Sequence, residues 1–147
     1  ALRKGRLRFT TDERNLLARN AGIKPIIRAM RSGRPFLMLP DMDFGRKESV
    51  FVPFFGIPAA TLTAPARLAA ATEGQIIPVV TRFQPHYRGW EVRFFPPWEN
   101  YPGDDIEQAT RFMNAFIEER IQEAPAEYFW SHKRFKTRPE GIPSLYD

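Results

Sequence analysis

The sequence contains no cysteine and only two histidines. The first absence excludes disulfides and thiolate metal sites, and the second leaves any zinc site dependent on carboxylates. Lack of cysteine also fits a reducing compartment. No apolar stretch approaches the roughly 18 uninterrupted residues of a membrane span, and the opening Ala1-Leu2-Arg3-Lys4-Gly5-Arg6 lacks the apolar centre of a secretory signal. Internal repeats, low-complexity tracts and evident linkers are likewise missing. No cofactor and no metal is expected.

The chain does have enough apolar residues for a core. Its 147 residues are 43% hydrophobic and 14% aromatic, and a domain of this size typically buries about 68–70% of its unfolded surface. Twenty-two basic against 17 acidic residues give a net charge of +5. That surplus favours phosphates, nucleic acid, an acidic carrier protein or an anionic membrane surface, and charge alone does not choose among them.

Along the chain, Gly5 to Thr10 reads as a short strand in which Leu7 and Phe9 alternate with arginines, and Thr11-Asp12 offers a helix N-cap. Pro25, followed by Ile26, Ile27 and Met30 and closed by Gly33, predicts a second helix. Phe36 to Leu39 reads as a buried strand and Val50 to Phe54 as another. Thr61 and Pro65 open a helix that runs through Arg67, Leu68 and Ala71 to Gly74. Ile76 to Thr81, continuous and β-branched, has the pattern of a central strand covered on both faces. Pro85 to Gly89 makes a turn, and Trp90 to Phe95 alternates as the hairpin partner of the preceding strand. Asp104-Asp105 caps the longest helix, in which Ile106, Ala109, Phe112, Met113, Phe116, Ile117 and Ile121 recur at helical spacing until Pro125. Strands alternating with helices predict an α/β domain whose sheet is mixed, mostly parallel and flanked by helices, with Phe36 to Leu39, Val50 to Phe54 and Ile76 to Thr81 in that one sheet and Asp41 to Lys47 at its C-terminal edge.

Chemistry concentrates after the run Phe36-Leu37-Met38-Leu39, where Pro40-Asp41-Met42-Asp43-Phe44-Gly45-Arg46-Lys47 supplies two carboxylates, a glycine and two cations. On an extended backbone Asp41 and Asp43 point to opposite faces, and only a turn brings them together. Asp41 can cap the turn after Pro40, and Asp43 can pair with Arg46 or Lys47. The guanidinium of Arg46 beside the free-turning Gly45 suits a phosphate held by two parallel hydrogen bonds, and a solvated basic turn is the plainer reading. Phe51, Phe54 and Phe55 offer either an acyl slot or, more simply, core. His132 lacks an acid four residues on, where Lys136 stands, and Lys133 and Arg134 disfavour the imidazolium a base must become. His86 falls in the hairpin turn. Trp130 to Arg138 interleaves rings with Lys133, Arg134, Lys136 and Arg138, a composition shared by nucleic-acid sites and membrane-interface segments.

The loop resembles the Pro-Asp-Gln-Asp-Phe-Gly block of the bacterial lipid A biosynthesis acyltransferases, of the lauroyl and myristoyl transferase type, a branch of the lysophospholipid acyltransferase-like superfamily. The likeness continues through Pro53-Phe54-Phe55-Gly56, Ala59-Ala60-Thr61, Ala66-Arg67-Leu68-Ala69, Ile77-Pro78-Val79 and Tyr128 to Pro139. Met42 stands where Gln is usual, and Thr63-Ala64 where Thr-Gly is common.

The resemblance implies that residues 1–133 are the C-terminal part of an acyltransferase domain and 134–147 an extended basic tail. It implies substrate binding by Asp41, Asp43, Gly45, Arg46 and Lys47, with the carboxylates ordering the cations and the acceptor. It further implies membrane contact by Lys133, Arg134, Lys136 and Arg138, and a tail packed back on the domain through Trp130 and Phe135 is the equal alternative. The partners implied are acyl carrier protein as donor, a glycolipid acceptor and an anionic membrane surface, at the cytoplasmic face of the bacterial inner membrane. The catalytic His-x4-Asp or His-x4-Glu motif lies upstream in that family, so no catalytic residue is expected in this chain. Asp43→Ala and Arg46→Ala are therefore expected to impair transfer without unfolding the protein. A non-catalytic lipid-binding module of the same fold, or an acyltransferase for another lipid acceptor, remains the alternative. Nucleic-acid binding is not expected, since no helix-turn-helix, zinc-finger or RNP-type motif is present.

Overall fold

The structure, a computed structural model, describes residues 2–8, 12, 16 and 22–146. The chain divides into two compact units, Ala1–Leu37 and Met38–Asp147. Residues 134–147 belong to the second.

The first unit holds helices α1 (Leu2–Leu7) and α2 (Lys24–Arg31). A strand was expected from Gly5, yet residues 2–7 are helical, and residues 9 and 10 lie outside the described residues. The alternation of Leu7 with arginines is too short to separate a strand from one helical turn. The helix expected from Thr11-Asp12 falls almost wholly outside the described residues. In α2, Pro25 occupies the first turn and Gly33 follows the end at φ +81°, as the spacing predicts.

The second unit is built on two hairpins and two helices. Strands β1 (Ser49–Phe54) and β2 (Ile57–Leu62) pair antiparallel, with Phe54 opposite Ile57. Phe55 and Gly56, at φ +48° and +78°, make the two-residue connection, the geometry that matches strand twist. Strand β2 escapes a sequence reading because Pro58 and two alanines are poor strand formers, and Thr61 lies in it rather than at a helix start. Strands β3 (Val79–Phe83) and β4 (Trp90–Phe94) form the second hairpin around the turn at Pro85–Tyr87.

Helix α3 (Ala64–Thr72) begins with Pro65 in its first turn and ends on Glu73 at φ +53°, one residue before the expected Gly74. Helix α4 (Ile106–Glu123) is capped by the Asp105 carboxylate, which accepts from the N–H groups of Glu107 and Gln108 at 2.8 and 3.1 Å. It buries Ala109, Met113 and Ile121, and packs on β1 and α3. Phe112, expected in the same apolar stripe, is 52% exposed and sits against the rings of Trp98 and Tyr101.

The domain is α/β, but among the described residues the expected mostly parallel sheet is not found: both sheets there are two-stranded antiparallel hairpins. Phe36–Leu39, Val50–Phe54 and Ile76–Thr81 therefore do not share a sheet. Phe36 to Leu39 forms no strand, and Leu37 and Leu39 are 77% and 68% exposed. Periodicity reports that a segment suits a sheet, whereas the neighbour that completes the sheet comes from elsewhere in the chain. Burial on both sides falls instead on Ala59, Ala60 and Thr61 of β2, each fully buried.

Candidate functional site

The loop Asp41–Lys47 leads into the N-terminal end of β1 instead of following a strand, so it does not sit at the C-terminal edge of a parallel sheet. Its anchor is Asp43, only 2% exposed. One carboxylate oxygen of Asp43 accepts from the N–H of Gly45 at 2.8 Å, which closes the loop on itself. Gly45 stands at φ +90°, a conformation open to it because it carries no side chain. The other carboxylate oxygen accepts from the N–H of Thr137 at 2.8 Å, and the N–H of Asp43 donates to Nε2 of His132 at 3.0 Å. Neither Arg46 nor Lys47 pairs with Asp43. Backbone amides satisfy it, one from the loop itself and one from the C-terminal segment.

That segment is folded back on the domain. Arg134, expected at a membrane surface, is 3% exposed. Its guanidinium donates to the carbonyl of Ala60 at 2.8 Å and to Oγ1 of Thr61 at 2.7 Å, and lies 5.0 Å from the ring centroid of Phe54. Burial pulls the Arg134 pKa below the usual arginine value, opposed by Tyr128, Asp43 and Asp41. Arg138 donates to the carbonyl of Pro58 at 2.9 Å, and Arg46 donates to the carbonyl of Arg138 at 2.7 Å. Lys133 and Lys136 remain exposed, Lys133 with its ammonium 5.5 Å from the ring of Tyr146.

Of the loop residues, Arg46 and Lys47 face solvent, with the Arg46 guanidinium 5.7 Å from the ring of Phe51. Asp41 is partly buried, and its carbonyl accepts from the Tyr128 hydroxyl at 3.4 Å. Burial, with Asp41 nearby, raises Tyr128 to a pKa of about 12. Phe54 is wholly buried among Phe55, Tyr128 and Phe135, so it belongs to the core. His86 is exposed in its turn.

Thr137, Tyr128, Thr61 and Asn114 were not singled out as site residues in the sequence. Thr137 acts through its backbone N–H, which any residue but proline supplies, so no sequence signal marks it. Asn114 bridges α4 to the first hairpin, donating to the Pro53 carbonyl at 3.0 Å and to Oγ1 of Thr61 at 3.2 Å. A lone polar residue on the apolar face of a helix is the available signal for it.

The site is thus a basic loop with two exposed cations, held from beneath by a buried carboxylate, on a small α/β domain. The chain belongs to the bacterial lipid A biosynthesis acyltransferase family, whose model matches residues 3–137. It is 40% identical over 143 residues to the lipid A biosynthesis lauroyltransferase of Escherichia coli (strain K12), covering 97% of this chain and 45% of that protein. It is 36% identical to the palmitoleoyltransferase of the same organism, with the same coverage. Identity to its myristoyltransferase is 34%, over 86% of this chain and 39% of that protein. The chain thus spans less than half the length of these relatives.

Proposed function

We propose that this chain is the acceptor-side part of an acyltransferase that moves a fatty acyl group from acyl carrier protein to a hydroxyl of a lipid A precursor. Residues 1–133 are read as the C-terminal part of the catalytic domain and 134–147 as its basic tail. Arg46 and Lys47 bind a phosphate of the acceptor, Gly45 allows the turn that presents them, and Asp41 orders the acceptor beside them. Asp43 serves the same site from beneath by fixing the loop backbone, without touching substrate. The acceptor hydroxyl needs a general base to attack the thioester carbonyl, and donors to hold the resulting oxyanion. Both are assigned to the part of the enzyme outside this match, since the Nε2 lone pair of His132 already accepts the N–H of Asp43. The exposed cations Lys133 and Lys136 are read as meeting an anionic bilayer at the cytoplasmic face of the inner membrane.

The observation that carries this reading is the solvent-facing pair Arg46 and Lys47 on a loop whose backbone is pinned by a buried carboxylate. A charge-binding loop works best when its geometry is set before the ligand arrives. In a complete acyltransferase containing this chain, Arg46→Ala and Lys47→Ala should each lower transfer to a phosphorylated disaccharide acceptor at least tenfold, about 1.4 kcal/mol. The unfolding midpoint should hardly move. Normal transfer by both folded variants would sink the assignment.

A further inference from the structure

Two consecutive residues of the C-terminal segment hold the basic loop at two points. The N–H of Thr137 donates to the Asp43 carboxylate at 2.8 Å, and the carbonyl of Arg138 accepts from Nη2 of Arg46 at 2.7 Å. Arg138 is itself tied down, since its Nη1 donates to the carbonyl of Pro58 in β2 at 2.9 Å. Pro139 follows it, and a proline confines the residue before it to extended backbone, which narrows the directions the Arg138 carbonyl can take. The tether therefore runs from β2 through Arg138 to Arg46.

What holds Arg46 is neutral. Its contacts are that backbone carbonyl and, at 5.7 Å, the ring of Phe51, and among the described residues no carboxylate pairs with it. A carboxylate would also fix the guanidinium, but it would offset the charge that an anion has to meet. A carbonyl fixes the group, keeps its charge and occupies only part of a fork of several donors. Restraint matters here because an exposed arginine otherwise gives up much of its rotamer freedom when a ligand fixes it.

We propose that Arg138 is a positioning residue for the acceptor: anchored to Pro58, it holds the Arg46 guanidinium in the orientation in which that group meets a phosphate. The inference rests on the acceptor reading of Arg46 given above, and it adds a residue whose own side chain touches no substrate.

The test is a double-mutant cycle in a complete acyltransferase containing this chain, assayed with a phosphorylated disaccharide acceptor. Arg138→Ala removes the anchor at Pro58 and keeps the carbonyl, so Arg46 is loosened rather than lost. The KM for the acceptor should rise about fivefold, the effect expected of one lost hydrogen bond, while kcat at saturating acceptor and the KM for the acyl donor stay unchanged. In the Arg46→Ala background the same substitution should change nothing further. The unfolding midpoint should hardly move, since the bond to Pro58 lies at the surface. Should Arg138→Ala fail to fold, Arg138→Lys, which keeps one donor for Pro58, carries the same cycle with a smaller rise. An unchanged acceptor KM in a folded variant, a loss confined to kcat, or the full rise repeated in the Arg46→Ala background overturns the proposal and leaves the acceptor reading standing. A normal acceptor KM in Arg46→Ala itself overturns the acceptor reading, and the positioning role falls with it.

Discussion

The N–H of Asp43 donates to Nε2 of His132 at 3.0 Å, joining residues 89 positions apart. An imidazole that accepts at Nε2 carries its proton at Nδ1 in the neutral form, so its basic lone pair is already engaged. Together with the bond from Thr137 to the Asp43 carboxylate, this contact makes the acidic loop and the C-terminal segment one structure. His132 is thereby a structural residue of the loop.

Asp43→Ala should destabilise the protein by about 3 kcal/mol, because it strips a buried charged acceptor from two backbone N–H groups. This reverses the expectation, drawn from sequence, that Asp43 serves substrate alone. Asp43→Asn retains one acceptor and turns an N–H toward the second amide, so it should recover only part of the loss. Urea unfolding of the three proteins decides the matter, and an unchanged midpoint for Asp43→Ala would remove the clasp.

Removing the fork of Arg134 leaves the Ala60 carbonyl without its side-chain donor inside the core and the Thr61 hydroxyl oxygen with Asn114 as its remaining donor. Arg134→Ala should therefore cost about 2–4 kcal/mol, and Arg134→Lys, which cannot reproduce two parallel bonds, should also destabilise. Lys136→Ala, two residues away and exposed, should stay within about 0.5 kcal/mol. Equal effects at both positions would contradict the burial of Arg134.

Tyr128 and Tyr101 are each raised to a pKa of about 12, chiefly by burial. A proton held more tightly in the folded state contributes stability that is complete below the unfolded value near 10. That contribution is lost as pH rises through the folded value. Stability should thus fall from about pH 10 to about pH 12, and Tyr128→Phe should flatten part of that slope. Urea midpoints across the alkaline range measure it, and a slope unchanged by either Tyr128→Phe or Tyr101→Phe would refute the assignment.

Lys133→Gln with Lys136→Gln should weaken binding of the complete protein to vesicles containing anionic lipid, by up to about 2 kcal/mol at low salt. The difference should shrink as salt rises, since such attraction is screened within about 8–10 Å near physiological ionic strength. Co-sedimentation across a salt series shows the effect. Identical binding at low salt, with the fold intact, would mean that these lysines do not face a membrane.

Much of the local structure was readable in advance. Pro25 and Gly33 bracket α2, Asp105 caps α4, and the alternation from Trp90 marks β4, because propensity, capping and period depend on residues close in sequence. Pairing was not readable. Phe36 to Leu39 and Ile76 to Thr81 have the composition of interior strands, but composition does not say which segment lies alongside.

At the site the same division holds. The clustering of Asp41, Asp43, Gly45, Arg46 and Lys47 on one loop is a property of the sequence, and so are the family blocks that span most of the chain. Which of those charges faces water is not. Arg134 and Lys136 are alike in sequence, two cations on either side of Phe135, yet one is buried against Ala60 and Thr61 and the other is exposed. Side-chain chemistry, local propensity and family membership were determined by the sequence by itself. The burial of Asp43 and Arg134, and the fastening of loop to C-terminal segment, were decided only by the tertiary structure. Those contacts join residues some 70 to 95 positions apart, where no local rule of the chain reaches.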